Sequence, residues 1–119
     1  MSGVVKDNSI TETKLSRTVS THTATGPTNL TVGNEDVILV NMDATANTDT
    51  VTVTLPNPNT KSGRIITVKR VSNTLGTSDD GILNITSAAG TIDGSSNVQL
   101  YYRFEVFRFV SNGSNWFII

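Results

Sequence analysis

The sequence predicts an all-β protein, folded as an antiparallel β-sandwich or a jelly-roll-like barrel with an extended N-terminal arm. Three observations predict this class. Thr, Ser and Asn together supply 43 of the 119 residues, and these residue types favour strands and turns over helices. Apolar residues recur in short runs that are separated by turn-forming residues. Every aromatic residue lies in the last nineteen positions, where a strand-like alternation is followed by an Asn-Gly turn.

Residues 1–27 differ from the rest of the chain and are predicted to form the extended arm. They are rich in Thr and Ser, and their apolar residues are spaced too widely to form a core of their own. Gly26-Pro27 marks the boundary, because proline cannot donate to a strand ladder and restricts the residue before it. Two interpretations stay open: a poorly ordered tail, or an arm that becomes ordered on a neighbouring subunit or virion protein. In the second interpretation the attachment residues are Val4, Val5, Ile10, Leu15 and Val19.

Residues 28–119 are predicted to form one β-sandwich domain. The clearest strand is 50–55, where valines and a leucine alternate with threonines as in a strand that buries one face. Pro56 and Pro58 end this strand because neither can donate to a ladder. No segment repeats at a fixed period, which argues against a propeller or a β-helix. The other predicted strands are 30–32, 37–42, 64–71, 82–86, 91–92 and 98–100.

The last nineteen residues are predicted to be the closing hairpin of the sandwich. Residues 104–109 alternate with period two, and Asn112-Gly113 is a strong hairpin signal because a type I′ turn needs positive φ at both central residues. Trp116 and Phe117 should lie on opposite faces, one in the subunit core and the other at a subunit contact; the sequence leaves open which is which. The predicted subunit interface comprises Tyr101, Arg103, Glu105, Phe107, Arg108, Trp116 and Phe117.

Composition narrows the classes of function. A net charge of −1 argues against nonspecific nucleic-acid binding, which needs a concentrated basic surface. The absence of cysteine excludes disulfides and thiolate zinc sites. The first fifteen residues contain no apolar run long enough for a signal peptide or a membrane span. We therefore expect no nucleic acid, no membrane and no cofactor among the partners.

The polar residues predict no catalytic or metal site. His22 is the only histidine and lies in the Thr-rich arm, so a histidine-based centre is not expected. Asp93 begins a faint imitation of an EF-hand loop, but the sixth position is Val98 rather than Gly and the twelfth is Phe104 rather than Glu. The acids are therefore predicted to form turns, and the chain is predicted not to be an enzyme. The basic residues on predicted strands are either outward charges or subunit contacts: Arg64, Lys69, Arg70, Arg103 and Arg108.

Three motifs resemble, in this order, the small β-domains of tailed-bacteriophage fibre and capsid-decoration proteins. They are GRIITVK at 63–69, TIDG at 91–94 and the terminal FVSNGSNWFII at 109–119. The stretch DNSITETKL at 7–15 also resembles the linker segments of phage fibres. The resemblance implies a homotrimer, a structural role and a location in the virion.

The chain departs from a tail fibre because no long shaft and no recognisable tail-docking segment precedes residue 28. This favours a capsid cement or decoration protein that binds the major capsid protein or another virion protein. The alternative is a short fibre or tip protein that binds host-surface polysaccharide through loops or through Tyr101-Tyr102, since aromatic rings can stack on sugars.

Overall fold

Short runs of alternating apolar and polar residues form β-strands in the computed structural model, which describes residues 17–71 and 81–119. A 3-10 turn at Pro58–Thr60 follows the fourth strand. Within these two ranges no helix is long and apolar enough to cross a membrane. The strands in the described ranges are β1 Val19–Thr23, β2 Thr28–Thr31, β3 Val37–Asn41, β4 Thr50–Leu55, β5 Ile65–Val71, β6 Ile82–Ser87, β7 Asn97–Leu100, β8 Val106–Ser111 and β9 Trp116–Ile118.

The strands form two sheets, which confirms the all-β, sandwich-like architecture. One sheet has the order β1-β3-β5-β8-β9 and the other the order β2-β4-β6-β7. Both sheets are mixed rather than antiparallel. The pairs β1/β3, β3/β5, β2/β4 and β4/β6 are parallel, and antiparallel pairing is confined to β5/β8, β6/β7 and β8/β9.

The first six strands alternate between the two sheets and wind as three turns of a flattened coil. This winding is that of a β-helix, so the sequence-based argument against a β-helix is corrected for this part of the chain. Residue 19 lies beside residue 37, and residue 37 lies beside residue 67, so successive turns differ in length. Unequal loops therefore remove the fixed period by which a β-helix would be found in a sequence.

The core lies between the two sheets and is built from the alternate residues of each strand. Val51, Val53 and Leu55 of β4 are fully buried, whereas the threonines between them are not. Burying each such side chain contributes about 1.5–3 kcal/mol to stability. From the C-terminal hairpin, Phe109 and Trp116 are among the largest buried side chains.

The C-terminal hairpin forms as predicted, but its turn differs from type I′. Ser111 pairs with Trp116, which leaves a four-residue loop rather than a two-residue turn. Gly113 has a φ of +95°, while Asn112 keeps a negative φ and uses its side chain instead. Asn112 Oδ1 accepts hydrogen bonds from the backbone N–H groups of Ser114 and Asn115 at 3.0 and 2.9 Å.

Part of the predicted arm belongs to the sandwich. Val19–Thr23 forms β1, which pairs in parallel register with β3 at the edge of the five-stranded sheet. The strand ladder therefore begins before the Gly26-Pro27 boundary that the sequence suggested. The other predicted attachment residues, Val4, Val5, Ile10 and Leu15, lie outside the described residues.

Arg70 is turned into the interior, so the interpretation of this residue as an outward strand charge is wrong. Arg70 follows Lys69 on β5, so the two side chains point to opposite sides of the sheet, and Arg70 has no exposed surface. Its Nη1 donates to the carbonyl oxygens of Gly81 at 2.8 Å and Leu100 at 3.2 Å. The buried guanidinium thus links β5 of one sheet to the start of β6 and the end of β7 in the other.

Candidate interaction surfaces

The outer face of the five-stranded sheet is rich in apolar side chains. Alternation along β3 and β5 buries Ile38, Val40 and Ile66 and turns their neighbours outward. The parallel and antiparallel registers then place the outward side chains of adjacent strands side by side. We call this surface the apolar face; its apolar members are Val19, Val37, Leu39, Ile65, Val71, Val106, Val110, Phe117 and Ile119.

Much of the apolar face is accessible to solvent in the single chain. Val19 is 55% exposed, Val106 48% and Phe117 39%. Isolated exposed apolar residues are ordinary, but a connected set across several strands marks an interaction site. Lys69 and Arg108 lie among these residues, on outward positions of β5 and β8. The face is therefore apolar with a positive charge.

The outer face of the four-stranded sheet has a different chemistry. Alternation along β4 and β6 turns only Thr50, Thr52 and Thr54 and then Ile82, Asn84 and Thr86 outward. None of the outward residues is charged, and Ile82 is the one apolar member of the set. We call this surface the neutral face; it consists of Asn29, Thr31, Thr50, Thr52, Thr54, Ile82, Asn84, Thr86, Asn97 and Gln99.

The segment that joins β7 to β8 presents a cluster of aromatic rings. In this aromatic loop, Tyr101–Glu105, the exposed fractions are 40% for Tyr101, 56% for Tyr102 and 50% for Phe104. The Glu105 carboxylate accepts hydrogen bonds from the backbone N–H groups of Tyr101 at 2.6 Å and Tyr102 at 2.5 Å. Hydrogen bonds to a charged acceptor are stronger than neutral ones, so Glu105 fixes the path of the loop.

Phe104 occupies an unusual backbone conformation. Its φ is +64°, in the left-handed region that bulky residues rarely adopt. Its N–H donates to the carbonyl of Arg70 at 2.7 Å, which helps to hold the conformation. The Lys69 ammonium and the Arg103 guanidinium lie 5.7 and 5.5 Å from the centre of its ring. Phe104 is therefore a candidate contact residue of this loop.

The residues of the predicted subunit interface fall in three places. Phe117 and Arg108 lie on the outer side of the five-stranded sheet, as a subunit contact requires. Tyr101, Arg103 and Glu105 lie in the aromatic loop. The single chain thus brings only part of the predicted set onto one surface.

Two members of that set point into the sandwich. Trp116 is buried, and its Nε1 donates to the carbonyl of Pro56 at 3.0 Å. Phe107 is partly buried against the core, with its ring 5.9 Å from that of Phe109. The prediction that Trp116 and Phe117 occupy opposite faces is confirmed, with Trp116 in the core and Phe117 outside.

A polar recess of about 260 Å³ lies at the end of the sandwich opposite the aromatic loop. It is lined by Asn34, Asp36, Lys61 and Arg64. Arg64 Nη2 donates to the carbonyls of Gly33 at 2.7 Å and Glu35 at 2.9 Å. The backbone N–H groups of Glu35 and Gly33 donate to the Glu35 carboxylate and lower its pKa below the ordinary value. Arg64 thus ties the segment before β5 to the segment between β2 and β3.

The other polar residues singled out in the sequence show no metal-binding arrangement. Throughout 17–71 and 81–119, no three His, Asp or Glu side chains are grouped so that they could hold a metal ion. Asp93 has a φ of +49° and accepts a hydrogen bond from the N–H of Ile118 at 3.1 Å. It therefore acts as a turn residue, as predicted. His22 lies on β1 and is partly buried.

Comparison of the sequence with models of known protein families and with curated proteins finds no match.

Proposed function

We propose that this chain is a structural protein of a bacteriophage virion, a capsid cement or decoration protein that stabilises the head shell as a homotrimer. The observation that carries the proposal is the apolar face, which is open to water in the single chain. An apolar surface of this extent is stabilised when another protein surface covers it. The three motifs that resemble phage proteins are the reason for proposing a bacteriophage virion as the particle.

The charges on the apolar face favour a cyclic trimer over a two-fold dimer. In a two-fold dimer the same patch meets itself, which would bring Lys69 and Arg108 of one subunit towards those of the other. Like charges brought together at an interface cost free energy. In a cyclic trimer each apolar face contacts a different surface of the next subunit, so this repulsion is avoided.

Stabilisation of a shell would then follow from multiple attachment. A trimer carries three copies of the N-terminal segment, and each copy contributes one contact to the shell. Because the three contacts are linked, opening the shell requires all of them to break. In this proposal Val4, Val5, Ile10 and Leu15 bind the major capsid protein or another virion protein.

Light scattering on the isolated full chain tests self-association. A trimer is expected, and Phe117→Glu or Val106→Glu should shift it towards the monomer because each places a carboxylate in the apolar contact. Thr52→Glu is the matched control on the neutral face and should leave the trimer intact. A monodisperse monomer for the unmodified chain would show that the apolar face does not bind another copy of the chain.

Attachment to the particle is tested separately. Particles lacking the protein should lose heat resistance or DNA retention, and unchanged particles would refute the cement function. A chain truncated to begin at Arg17 keeps every described strand, so it should remain a folded trimer and fail to bind such particles. Binding by the truncated trimer would refute the role of the arm.

A second candidate function, a short fibre or tip protein that binds host-surface polysaccharide, is favoured by the aromatic loop. Tyr101, Tyr102 and Phe104 are 40%, 56% and 50% exposed on one loop, and exposed aromatic rings can stack on sugars. Adsorption of the isolated protein to host cells would favour this function over capsid stabilisation.

A further inference from the structure

We infer that the neutral face, together with Tyr101 at its end, is a binding site for a neutral polysaccharide chain. The inference deepens the second candidate function and rests on it. It names the surface that binds and the class of ligand.

The neutral face presents its polar groups in straight rows across all four strands. Asn29 lies beside Thr52, Thr52 beside Asn84, and Asn84 beside Gln99. Neighbouring strands are about 4.8 Å apart, so the side chains of one row follow each other at that interval. An extended chain molecule lying along the row would meet a polar group at each strand.

A second row repeats this arrangement one step along the strands. It consists of Thr31, Thr54, Thr86 and Asn97. Alternate residues of a strand are about 6.6 Å apart, so the two rows run side by side. Together they give a sheet-wide surface rather than a single pocket, which suits a polymer better than a small molecule.

The side chains in these rows match a ligand rich in hydroxyl groups. Amide and hydroxyl side chains both donate and accept hydrogen bonds, as sugar hydroxyls do. The face holds no formal charge, so an anionic polymer would lose hydration without gaining an opposite charge. The chemistry therefore selects neutral over acidic polysaccharides.

Tyr101 supplies the flat apolar surface that a sugar ring needs. It follows β7 directly, and its hydroxyl donates a hydrogen bond to Gln99 Oε1. Gln99 Nε2 in turn lies 3.5 Å from Asn84 Oδ1. The ring is thus tied to the first row while 40% of the residue stays exposed, so the C–H face of a sugar bound along the row could pack on it.

The competing explanation is that the face is simply a solvated side of a Thr-rich sheet, since threonine favours strands. That explanation predicts no affinity for any polysaccharide. A binding measurement therefore separates the two.

The experiment measures binding of the full chain to immobilised dextran, mannan and galactan as neutral polymers, and to alginate and hyaluronate as acidic ones. Binding to at least one neutral polymer is expected. Tyr101→Ala should weaken it roughly tenfold through loss of stacking, and Thr52→Ala should weaken it by a smaller factor. Thr67→Ala makes the same change on the opposite sheet and should leave affinity unchanged.

Three results would overturn the inference: no binding to any neutral polymer, binding to the acidic polymers that is as tight as or tighter than to the neutral ones, or equal affinity for the unmodified chain and Tyr101→Ala. Light scattering on the same samples keeps this outcome distinct from the proposed assembly. A trimer that binds no neutral polymer refutes only the polysaccharide site. A monomer that binds one, and loses it in Tyr101→Ala, refutes only the assembly.

Discussion

At the scale of single residues, Gly81 lies close to the backbone of another segment. A Cβ placed there would lie 2.5 Å from the carbonyl oxygen of Asp49 and 2.8 Å from that of Ala46. Its φ of +83° is also one that residues with a side chain rarely adopt. Its own carbonyl accepts the hydrogen bond from the buried Arg70. Gly81 therefore admits no side chain without a shift of the backbone.

Gly81→Ala should lower the free energy of unfolding by at least about 2 kcal/mol, from the cost of a left-handed alanine and the contact with two carbonyls. Urea denaturation followed by circular dichroism measures the change. Gly26→Ala is the matched control, because a Cβ there meets nothing within 4 Å. That variant should stay within about 0.5 kcal/mol of the unmodified chain. Equal losses would show that crowding at Gly81 is not the cause.

The lowered pKa of Glu35 predicts a small loss of folding stability in acid. Backbone N–H groups bind its charged form and lower its pKa in the folded state below the ordinary 4.5. The carboxylate therefore stabilises the fold fully above that ordinary value and loses its contribution as the pH falls through the lowered pKa. Glu35→Gln should reduce the dependence of the melting temperature on pH below about 4.5. If the melting temperature of Glu35→Gln falls in acid as steeply as that of the unmodified chain, these hydrogen bonds do not lower the pKa of Glu35.

Sequence periodicity predicts which residues of a strand lie on opposite faces of the sheet. It predicts less well which of the two faces is buried in the core. It placed Trp116 and Phe117 on opposite faces, because successive side chains of a strand must diverge. It did not predict the burial of Arg70, since the apolar residues of β5 occur in both alternate sets. Nor could it predict the positive φ of Phe104, whose N–H donates to the carbonyl of Arg70 on the distant strand β5.

At the scale of elements, the β8–β9 hairpin serves both the core and the surface. Trp116→Ala should lower the free energy of unfolding by about 3–5 kcal/mol, because it empties a fully packed site. Phe117→Ala should cost the monomer less than about 1 kcal/mol, because its ring lies outside. Urea titrations at concentrations too low for assembly give both values. Similar losses from both variants would mean that Phe117 packs within the subunit.

Most of the strands were predicted from the sequence, but β1 was not, and the predicted strand 91–92 is only an isolated bridge at Ile92. The pairing of the strands was not predicted either. Predicted strands such as 37–42 and 50–55 match β3 and β4 within a residue, because burial of one face repeats every second residue. That repeat is the same for parallel and antiparallel partners. The partner depends on how each loop crosses between the sheets, and the loops here differ in length. The neutral face was not predicted for the same reason, because its rows exist only once β2, β4 and β6 lie side by side.

At the scale of the whole molecule, the two outer faces are suited to different kinds of contact. The apolar face is suited to contact with other copies, and the neutral face is left to meet solvent or a polysaccharide. The aromatic loop connects the two, because it leaves β7 beside Gln99 and enters β8 beside Lys69. Substitutions on one face should therefore leave the other function intact.

If the apolar face is covered by other copies, the stability of the molecule must depend on its concentration. Assembly binds the folded state and not the unfolded one, so by mass action the melting temperature should rise as the protein is concentrated. Calorimetry over a hundredfold range of concentration should show this rise for the unmodified chain and for Thr52→Glu. For Phe117→Glu the midpoint should be lower and independent of concentration, because the dissociated subunit unfolds alone. A midpoint that stays constant for all three proteins would mean that the apolar face remains exposed in solution and does not bind other copies of the chain.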